Sequence, residues 1–560
     1  MAPTSNLEAT LRDCIQRAVQ DLHLSADSET KPTITLEIPR SRAHGDLASS
    51  IGLQLASQMR KGPLEIAESL VQKLSPLLEE SSLKESIDRV EIKPPGFINF
   101  FLSPAYLYAV LKQVLREGSN YGHSSIGEGR KALVEFVSAN PTGPLSVAHG
   151  RQAAVGDALA NLLVFAGYQV NREYYLNDEG TQIDLLGASI LARAREVLQL
   201  SSTFPENGYK GAYIGALGKK LVQQRGARSL EGPQAQTIAR NFGVRELTGV
   251  IRGDLEQFGV RFDRWFPQSS LHQWGYLNRS LTLLKRREML YSSEGAWWLK
   301  STAFGDDKDR VVIRSDGRMT YIASDIAYHR RKFQRGFRLL INLWGPDHHG
   351  YIPRLKAAVE ALGYPSEALR VRIVQLCTLK RGTETIPMST REGEFITLSQ
   401  VIQEVGKDAA RFFFLFRKSD AHLEFDLELA KQHSLENPVY YIQYAHARIC
   451  SILAYQKQQG KGMKSEENFG LLGAPEELTI LRLLREFPGV IEMSARSLEP
   501  FGVVAFLQEL AEAFHRFYDV HRVVSDSAEL TAARLELVKA VQIVLFTGLK
   551  LLGVSAPEKM

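Results

Sequence analysis

The stretch ANPTGPLSVAHGRQAAVGDALANLL, residues 139–163, crowds Pro141 and Pro144 against His149 and then runs into an alanine-rich helical pattern. Immediately before it, KALVEFV (131–137) is a short continuous apolar run of the kind a strand buried on both faces shows. The local order is strand, loop, helix. In an open parallel sheet, ligands sit at the carboxyl ends of the strands, where the first turn of a following helix presents free N–H groups and a positive dipole end. A phosphate group suits such a place. Pro141 and Pro144 restrict the loop, Gly143 and Gly150 allow close backbone approach, and His149 in the first helical turn can donate to a phosphate oxygen. A stiff structural loop carrying an exposed histidine accounts for the same residues equally well, because neither GxxxxGK[ST] nor GxGxxG is present.

Working outward, further β-type runs at RVVIRS (310–315), RLLINLW (338–344) and RVRIVQLCTL (370–379) alternate with helical patterns such as YIPRLKAAVEALG. That alternation predicts an α/β fold, a Rossmann-like doubly wound parallel sheet over about 116–400, with a loop-rich and helical insertion near 201–275. Residues 1–115 read as a smaller α/β domain. Ser5-Asn6-Leu7-Glu8 has capping-box spacing, and Leu7, Leu11, Cys14, Ile15, Ala18 and Leu22 share one helical face. PTITLEI (32–38) alternates as a strand, Ile51, Leu55 and Met59 favour a helix, and RVEIKPPGFINFFL returns to strand. EGSNYGHSSIGEGR (117–130) reads as the linker to the sheet domain. From 401 to 560 the pattern is helical and predicts an all-helical bundle.

A chain of 560 residues is too long for one core and fits three or four domains. With 44% hydrophobic and 23% charged residues it has globular composition, and no segment reaches the roughly 20 apolar residues of a membrane span. The N-terminus carries acidic residues and no apolar signal core, so export is not indicated. Three scattered cysteines, Cys14, Cys377 and Cys450, support neither a disulfide framework nor a zinc site, and a reducing cytoplasm is expected. The net charge of +5, from 68 basic and 63 acidic residues, permits an anionic partner without requiring one.

SANPTGPLSVAHGRQAAVGDALANLL followed by GYQVNREYYLNDEGTQI resembles the first signature of class I aminoacyl-tRNA synthetases, in the form carried by bacterial arginyl-tRNA synthetases. DGRMTYIASDIAYH, NLWGPDHHGYIPRLKAA, PMSTREGEFITL, KDAARFFFLFRKSDAHLEFDLELA, NPVYYIQYAHARI and the terminal LLGVSAPEKM are similar to that family in the family's order, as is AHGDLASSIGLQLA near the N-terminus. The resemblance implies that arginine's carboxylate attacks the α-phosphate of ATP to give arginyl-adenylate and pyrophosphate, and that the terminal ribose of tRNA(Arg) then takes the arginyl group. It implies ATP contacts at Pro141, Gly143, His149, Gly150, Gly345, Asp347, His348, Met388 and Ser389, with His149, Ser146, Ser389 and Arg391 as catalytic residues. Chemistry of this kind asks of side chains mainly alignment and stabilisation of charge developing on phosphate.

Two positions depart from the family's pattern. The first histidine of the first signature is Ser146, which can cap the helix and still offer its hydroxyl to ATP. The second signature, KMSK in many class I enzymes, reads PMST at 387–390, so cationic help must come from neighbours, with Arg391, Lys380 and Arg381 nearest. A guanidinium calls for carboxylate partners. Glu135, Ser138 and Asn140 end the apolar strand and open the loop, while Tyr321 and Asp325 share a helix face at i, i+4 spacing; these match the family's arginine positions.

His348 and His349 are adjacent, and on extended chain they point to opposite faces, so no protein-bound metal is expected and magnesium arrives with ATP. Tyr440, Tyr444 and His446, on a short helix, with the terminal Met560, are candidates for tRNA contact because aromatics with basic neighbours can stack unpaired bases; core packing suits the helical spacing as well, and the resemblance places this helical domain on the anticodon loop. The resemblance further implies a monomer, an N-terminal unit on the tRNA elbow, and activation that requires bound tRNA. Another class I synthetase or a non-catalytic tRNA-binding paralogue are the alternatives. The scattered cysteines disfavour the cysteine enzyme, and the joint presence of His149, Glu135, Tyr321 and Asp325 disfavours the paralogue.

Overall fold

In the computed structural model, which describes residues 4–22, 32–386, 396–458 and 468–560, the chain opens with the helix Thr4–Gln20, whose Leu7, Leu11, Cys14, Ile15 and Ala18 are all buried. Strands β1 (Leu47–Ser49), β2 (Ile87–Lys93) and β3 (Phe97–Leu102) form an antiparallel sheet in the order β1-β3-β2, covered by helices Ile51–Met59 and Pro63–Glu80. PTITLEI is not a full strand there, because only Glu37 bridges, to Ala48. The helix Pro104–Glu117, placed in this domain by sequence, also packs on the C-terminal helices, where the Tyr108 hydroxyl donates to Leu472 O at 3.0 Å.

The stretch 117–130 is no loose linker. Tyr121 is buried and donates to Leu484 O at 2.9 Å, while Gly127 N and Gly129 N donate to Ala166 O and Gly167 O. Its Gly and Ser content serves close packing against two neighbours at once.

The central sheet holds β4 (Lys131–Glu135), β5 (Gln169–Leu176) and β6 (Arg264–Pro267). Next come the outlying β7 (Leu290–Ser293), β8 (Ala296–Leu299) and β9 (Arg310–Ile313), and then β10 (Leu339–Trp344) and β11 (Leu369–Ile373) of the central sheet. The five central strands run parallel in the order β11-β10-β4-β5-β6. The chain builds outward from β4 to β6, then returns to the other side of β4, so the topological switch point lies between β4 and β10. RVVIRS belongs elsewhere: β9 joins β7 and β8 in a separate antiparallel sheet. RVRIVQLCTL is two strands, β11 and β12 (Cys377–Arg381); the latter pairs antiparallel with β13 (Glu384–Thr385) and parallel with β14 (Leu423–Asp426). β14 lies beyond residue 400, so the region after 400 is not wholly helical. β5 and β6 went unread as strands, because polar residues interrupt QVNREYYL and β6 has four residues.

The insertion begins earlier than 201. Helices Thr181–Val197, Ala212–Arg225 and Ala235–Gln257 fill the β5–β6 crossover around their own cluster of Leu186, Ile190, Leu221, Ala239 and Phe242, and residues 264–267 already belong to the central sheet. Most of the signature helix Val147–Phe165 is buried, with Val164 near its end exposed, which is why its composition is alanine-rich rather than amphipathic. Gly156 lets it lie on the end of β4: a Cβ there would meet the Phe136 ring at 2.3 Å. Helices Pro438–Gln458, Pro475–Ser497, Phe501–Val520 and Ala528–Leu551 make the C-terminal bundle. No helix among the described residues is long and apolar enough to cross a membrane.

Candidate active site

At the carboxyl end of β4 the backbone turns through two consecutive non-glycine residues with positive φ, Val137 (66°) and Ser138 (40°). Such a conformation persists only where its surroundings over-determine it, and it clusters at functional sites. Here Ser138 Oγ accepts from Tyr175 N at 3.0 Å and the Tyr174 hydroxyl donates to Ala139 O at 2.7 Å, fastening the loop to β5. Asn140 reaches across to Gln182 Oε1 at 2.6 Å. Pro141 is buried and Gly143 lies beside Tyr213, whose hydroxyl donates to Thr142 O at 2.7 Å.

Ser146 is the N-cap of the signature helix and His149 its third residue. The His149 ring stands where a capping-box glutamate usually does: Nδ1 accepts from Ser146 N at 3.2 Å and lies 3.0 Å from Ser146 Oγ. With Nδ1 an acceptor, the proton of the neutral ring sits on Nε2. Burial pushes the imidazole down to about 4, so this donor is uncharged at neutral pH. Ser146 therefore orients His149 through its own backbone. Gly150 has a structural reason to lack a side chain, since a Cβ there would meet Leu398 Cδ1 at 2.6 Å and the Phe414 ring.

At the carboxyl end of β4, Glu135, Asp325 and Tyr175 come together in an acidic cluster, the recess of this site. Helix Tyr321–Gln334 begins at Tyr321, as the i, i+4 argument required, and puts Asp325 in the recess; the Tyr321 ring stands at its edge, 74% exposed. Asp325 accepts from the Tyr351 hydroxyl. Burial raises its carboxyl to about 6, and nearby Glu135 adds to the rise, against the Tyr351 hydrogen bond and the charges of Lys332 and His348. Tyr175 is pushed well up by burial and then by Asp325, Glu135, Asp178 and Glu179, which marks the concentration of carboxylates around it. Glu135 is buried and one oxygen, Oε2, is taken by Lys332 Nζ.

Gly345, Asp347 and His348 follow β10 in a 3₁₀ turn, Pro346–Tyr351, not in extended chain. The opposite-faces reasoning for His348 and His349 thus fails on geometry. Asp347 and His348 are exposed and 3.4 Å apart, and no group of three or more His, Cys, Asp or Glu that could hold a metal occurs among the described residues. Met388, Ser389 and Arg391 lie outside the described residues. Among the described residues, Thr397 bridges to Ser146 and Leu398 N donates to Leu145 O at 2.8 Å, so the chain from Thr397 packs against the start of the signature helix. Lys380 is paired with Glu424 at 2.7 Å and Arg381 with Glu404 and Glu428 at 2.7 and 2.9 Å.

In the bundle, Tyr440 and Tyr444 stack at 6.0 Å on a helix of 21 residues, longer than expected, and Arg448 lies over Tyr444 and Tyr518 at 5.3 and 4.0 Å. Tyr444, Arg448, Tyr518, Arg522, Lys559 and Met560 line a groove of about 960 Å³. His446 is not part of that surface. It is buried, with Nδ1 2.9 Å from Pro557 O, and it pins the C-terminal segment.

Several working residues escaped the sequence reading. Lys332 and Tyr328 continue the face of Tyr321 and Asp325 at 321, 325, 328 and 332, so extending the period would have found them. Arg151, two residues after His149, is wholly buried and donates to the carbonyls of Gln375 (2.8 Å), Leu376 (3.3 Å), Ala421 (2.8 Å) and Lys418 (2.9 Å). It ties the signature helix to the segment that leads into β12, and its only local signal is a cation in an apolar helix.

The five-stranded parallel sheet with a helix opening at its switch point, and the helical C-terminal domain, have the architecture of a class I aminoacyl-tRNA synthetase. Residues 110–421 match the family model "tRNA synthetases class I (R), catalytic domain", 9–102 "Arginyl tRNA synthetase N terminal domain" and 442–560 "DALR anticodon binding domain". The chain is 47% identical to the "Arginine--tRNA ligase" of Syntrophotalea carbinolica over 545 residues, covering 97% of each, and 44% identical to that of Bacillus cereus over 563 residues, covering all of both. The solved arginyl-tRNA synthetase of Thermus thermophilus shares the fold, with a TM-score of 0.78 at 22% identity over 99% of this chain and 100% of that one. The chain belongs to the arginyl-tRNA synthetase family.

Proposed function

We propose that this enzyme is an arginine–tRNA ligase whose chemistry takes place between the Val147–Phe165 helix mouth and the Asp325 recess. The observation that carries the reading is the juxtaposition of an uncharged Nε2–H donor at a helix N-terminus with a recess holding Asp325 and Glu135. Arginine's guanidinium lies against Asp325 and Glu135, under the Tyr321 ring, and Ser138 and Asn140 hold its α-amino and carboxylate end near the helix mouth. ATP lies over Pro141, Gly143 and Gly150, reaching Gly345, Asp347 and His348 on the turn after β10.

In the first step a carboxylate oxygen of arginine bonds to the α-phosphorus, the bond to the bridging oxygen breaks, and pyrophosphate leaves with its electron pair. The helix N–H groups and His149 Nε2–H donate to phosphoryl oxygens whose charge grows in the transition state. On this reading Met388 and Ser389 serve the nucleotide and Arg391 supplies charge toward pyrophosphate, while Lys380 and Arg381 are each already paired with carboxylates. In the second step a terminal ribose hydroxyl of tRNA(Arg) attacks the arginyl carbonyl and AMP leaves. Magnesium comes bound to the phosphates of ATP. Tyr440, Tyr444 and Met560 meet unpaired bases at the C-terminal groove, and the enzyme works as a cytoplasmic monomer.

Aminoacylation of tRNA(Arg) assayed with each of the twenty amino acids tests the reading: arginine alone is expected to be charged, and equal or better charging of another would remove it. Pyrophosphate exchange with and without tRNA tests whether activation waits for tRNA. Brisk exchange in its absence contradicts that requirement. Light scattering at working concentration checks the monomer.

A further inference from the structure

Lys332 stands directly behind the arginine recess, and the inference drawn from it rests on the arginine reading of that recess. Its side chain is wholly buried. Nζ binds Glu135 Oε2, donates to Asn342 Oδ1 at 3.2 Å and lies 4.1 Å from the centre of the Tyr328 ring. The chain of partners continues: Asn342 Nδ2 lies 2.9 Å from His329 Nε2, and His329 Nδ1 lies 2.9 Å from the Asp325 carbonyl. One assignment satisfies every member. His329 carries its proton on Nδ1 and donates to Asp325 O, Nε2 accepts from the Asn342 amide, and Asn342 Oδ1 accepts from Lys332. The ammonium is thus held in place from two sides.

A cation buried beneath a pocket for a cation lowers affinity if attraction is all that matters. Its geometry gives a different reason. The groups facing Asp325 are Tyr351 and His348 from the turn after β10, Glu135 from β4, Tyr175 from β5 and Lys332 from its own helix. The deeper Glu173 is satisfied separately by Arg335 and the Tyr328 hydroxyl. Without Lys332, two carboxylates would face one guanidinium in a buried site, and the surplus charge would be relieved by a proton or a second cation.

We propose that Lys332 is the charge-setting, specificity-determining residue of the recess: by holding one oxygen of Glu135 it leaves a net single negative charge on Glu135, Asp325 and Lys332 together, the complement of one guanidinium. Asp325 stays available as the carboxylate that meets the substrate, while Glu135 is fixed as the second wall.

Calorimetric titration of the full-length enzyme with L-arginine from pH 5 to 9 tests this, using wild type, Lys332→Met, Glu135→Gln and the double variant. In wild type, binding should weaken about tenfold per pH unit below about 6, where Asp325 takes up its proton. Lys332→Met should move that midpoint upward by about one pH unit or more, because an opposite charge at close range is lost. Glu135→Gln should move it downward. The double variant should return it to within about half a unit of wild type while binding arginine more weakly throughout, since the two lost charges cancel. Uncharged replacement of a buried pair is tolerated structurally, so the double variant folds even where Lys332→Met does not, and comparing it with Glu135→Gln still isolates the lysine. A midpoint that stays put in every variant that folds, with affinity falling evenly across pH, shows Lys332 to be structural only and overturns the inference. No arginine binding by the wild type at any pH removes the arginine reading itself.

Discussion

The Asp325 recess and the groove on the Pro438–Gln458 helix are both built from aromatic and charged side chains, yet they use them in opposite ways. In the recess each charge is enclosed and has a partner, Glu135 with Lys332 and Asp325 with Tyr351, and the deeper Glu173 is held by Arg335. In the groove, Arg448, Arg522 and Lys559 line an open surface with Tyr444, whose ring stacks on that of the half-buried Tyr440 beside it. A small cation is selected by fixed charges in a place of low dielectric, where each misplaced charge is costly. A polyanion with exposed bases is met by stacking platforms and mobile cations, where each contact contributes modestly.

This contrast predicts a ranking of effects. Asp325→Ala should raise the arginine KM most, by about 2–5 kcal/mol or roughly 30-fold to several thousandfold, since it strips one partner from a buried charge pair. A KM unchanged within about twofold would remove Asp325 from the pocket. His149→Ala should come next, lowering kcat by about 10²–10³ with little change in the arginine KM, as loss of one transition-state donor does. Tyr444→Ala should weaken tRNA binding by about 1–3 kcal/mol and leave tRNA-independent arginine affinity alone. If it disturbs arginine binding instead, the two regions are not independent and the comparison fails.

The smallest effect is one of pH. Burial raises the Asp325 carboxyl to about 6, and on the proposed reading arginine meets its ionised form. The arginine KM should therefore be flat above pH 7 and rise as pH falls through 6, by about tenfold between pH 7 and 5. His149, held near 4, should leave kcat without a titration between pH 6 and 8. A kcat profile with a midpoint near 6.5 would show that His149 works in its charged form.

Much of the site was legible because it depends on residues close together in the chain. Ser146 and His149 sit three apart at a helix start, so their mutual hydrogen bond follows from helical geometry. Tyr321 and Asp325 share a face for the same reason. The unread parts depend on what a residue meets. His446 has the same helical setting as Tyr444 but turns inward to Pro557. RVVIRS has the composition of a central strand but pairs with β8 outside the central sheet. The run at 370–379 breaks into two sheets where Arg151 reaches the Gln375 and Leu376 carbonyls from a helix more than two hundred residues earlier in the chain.

From its sequence alone this protein reads as α/β with a strand–loop–helix turn of a kind suited to phosphate, because apolar period, proline and glycine placement, and helix spacing are local properties that survive without knowledge of neighbours. Only the tertiary structure decided which strands share a sheet, which tyrosines face solvent, and that a buried lysine pairs with Glu135 beside Asp325. Burial and pairing of charge are settled by contacts between distant segments, and no window along the chain contains both partners.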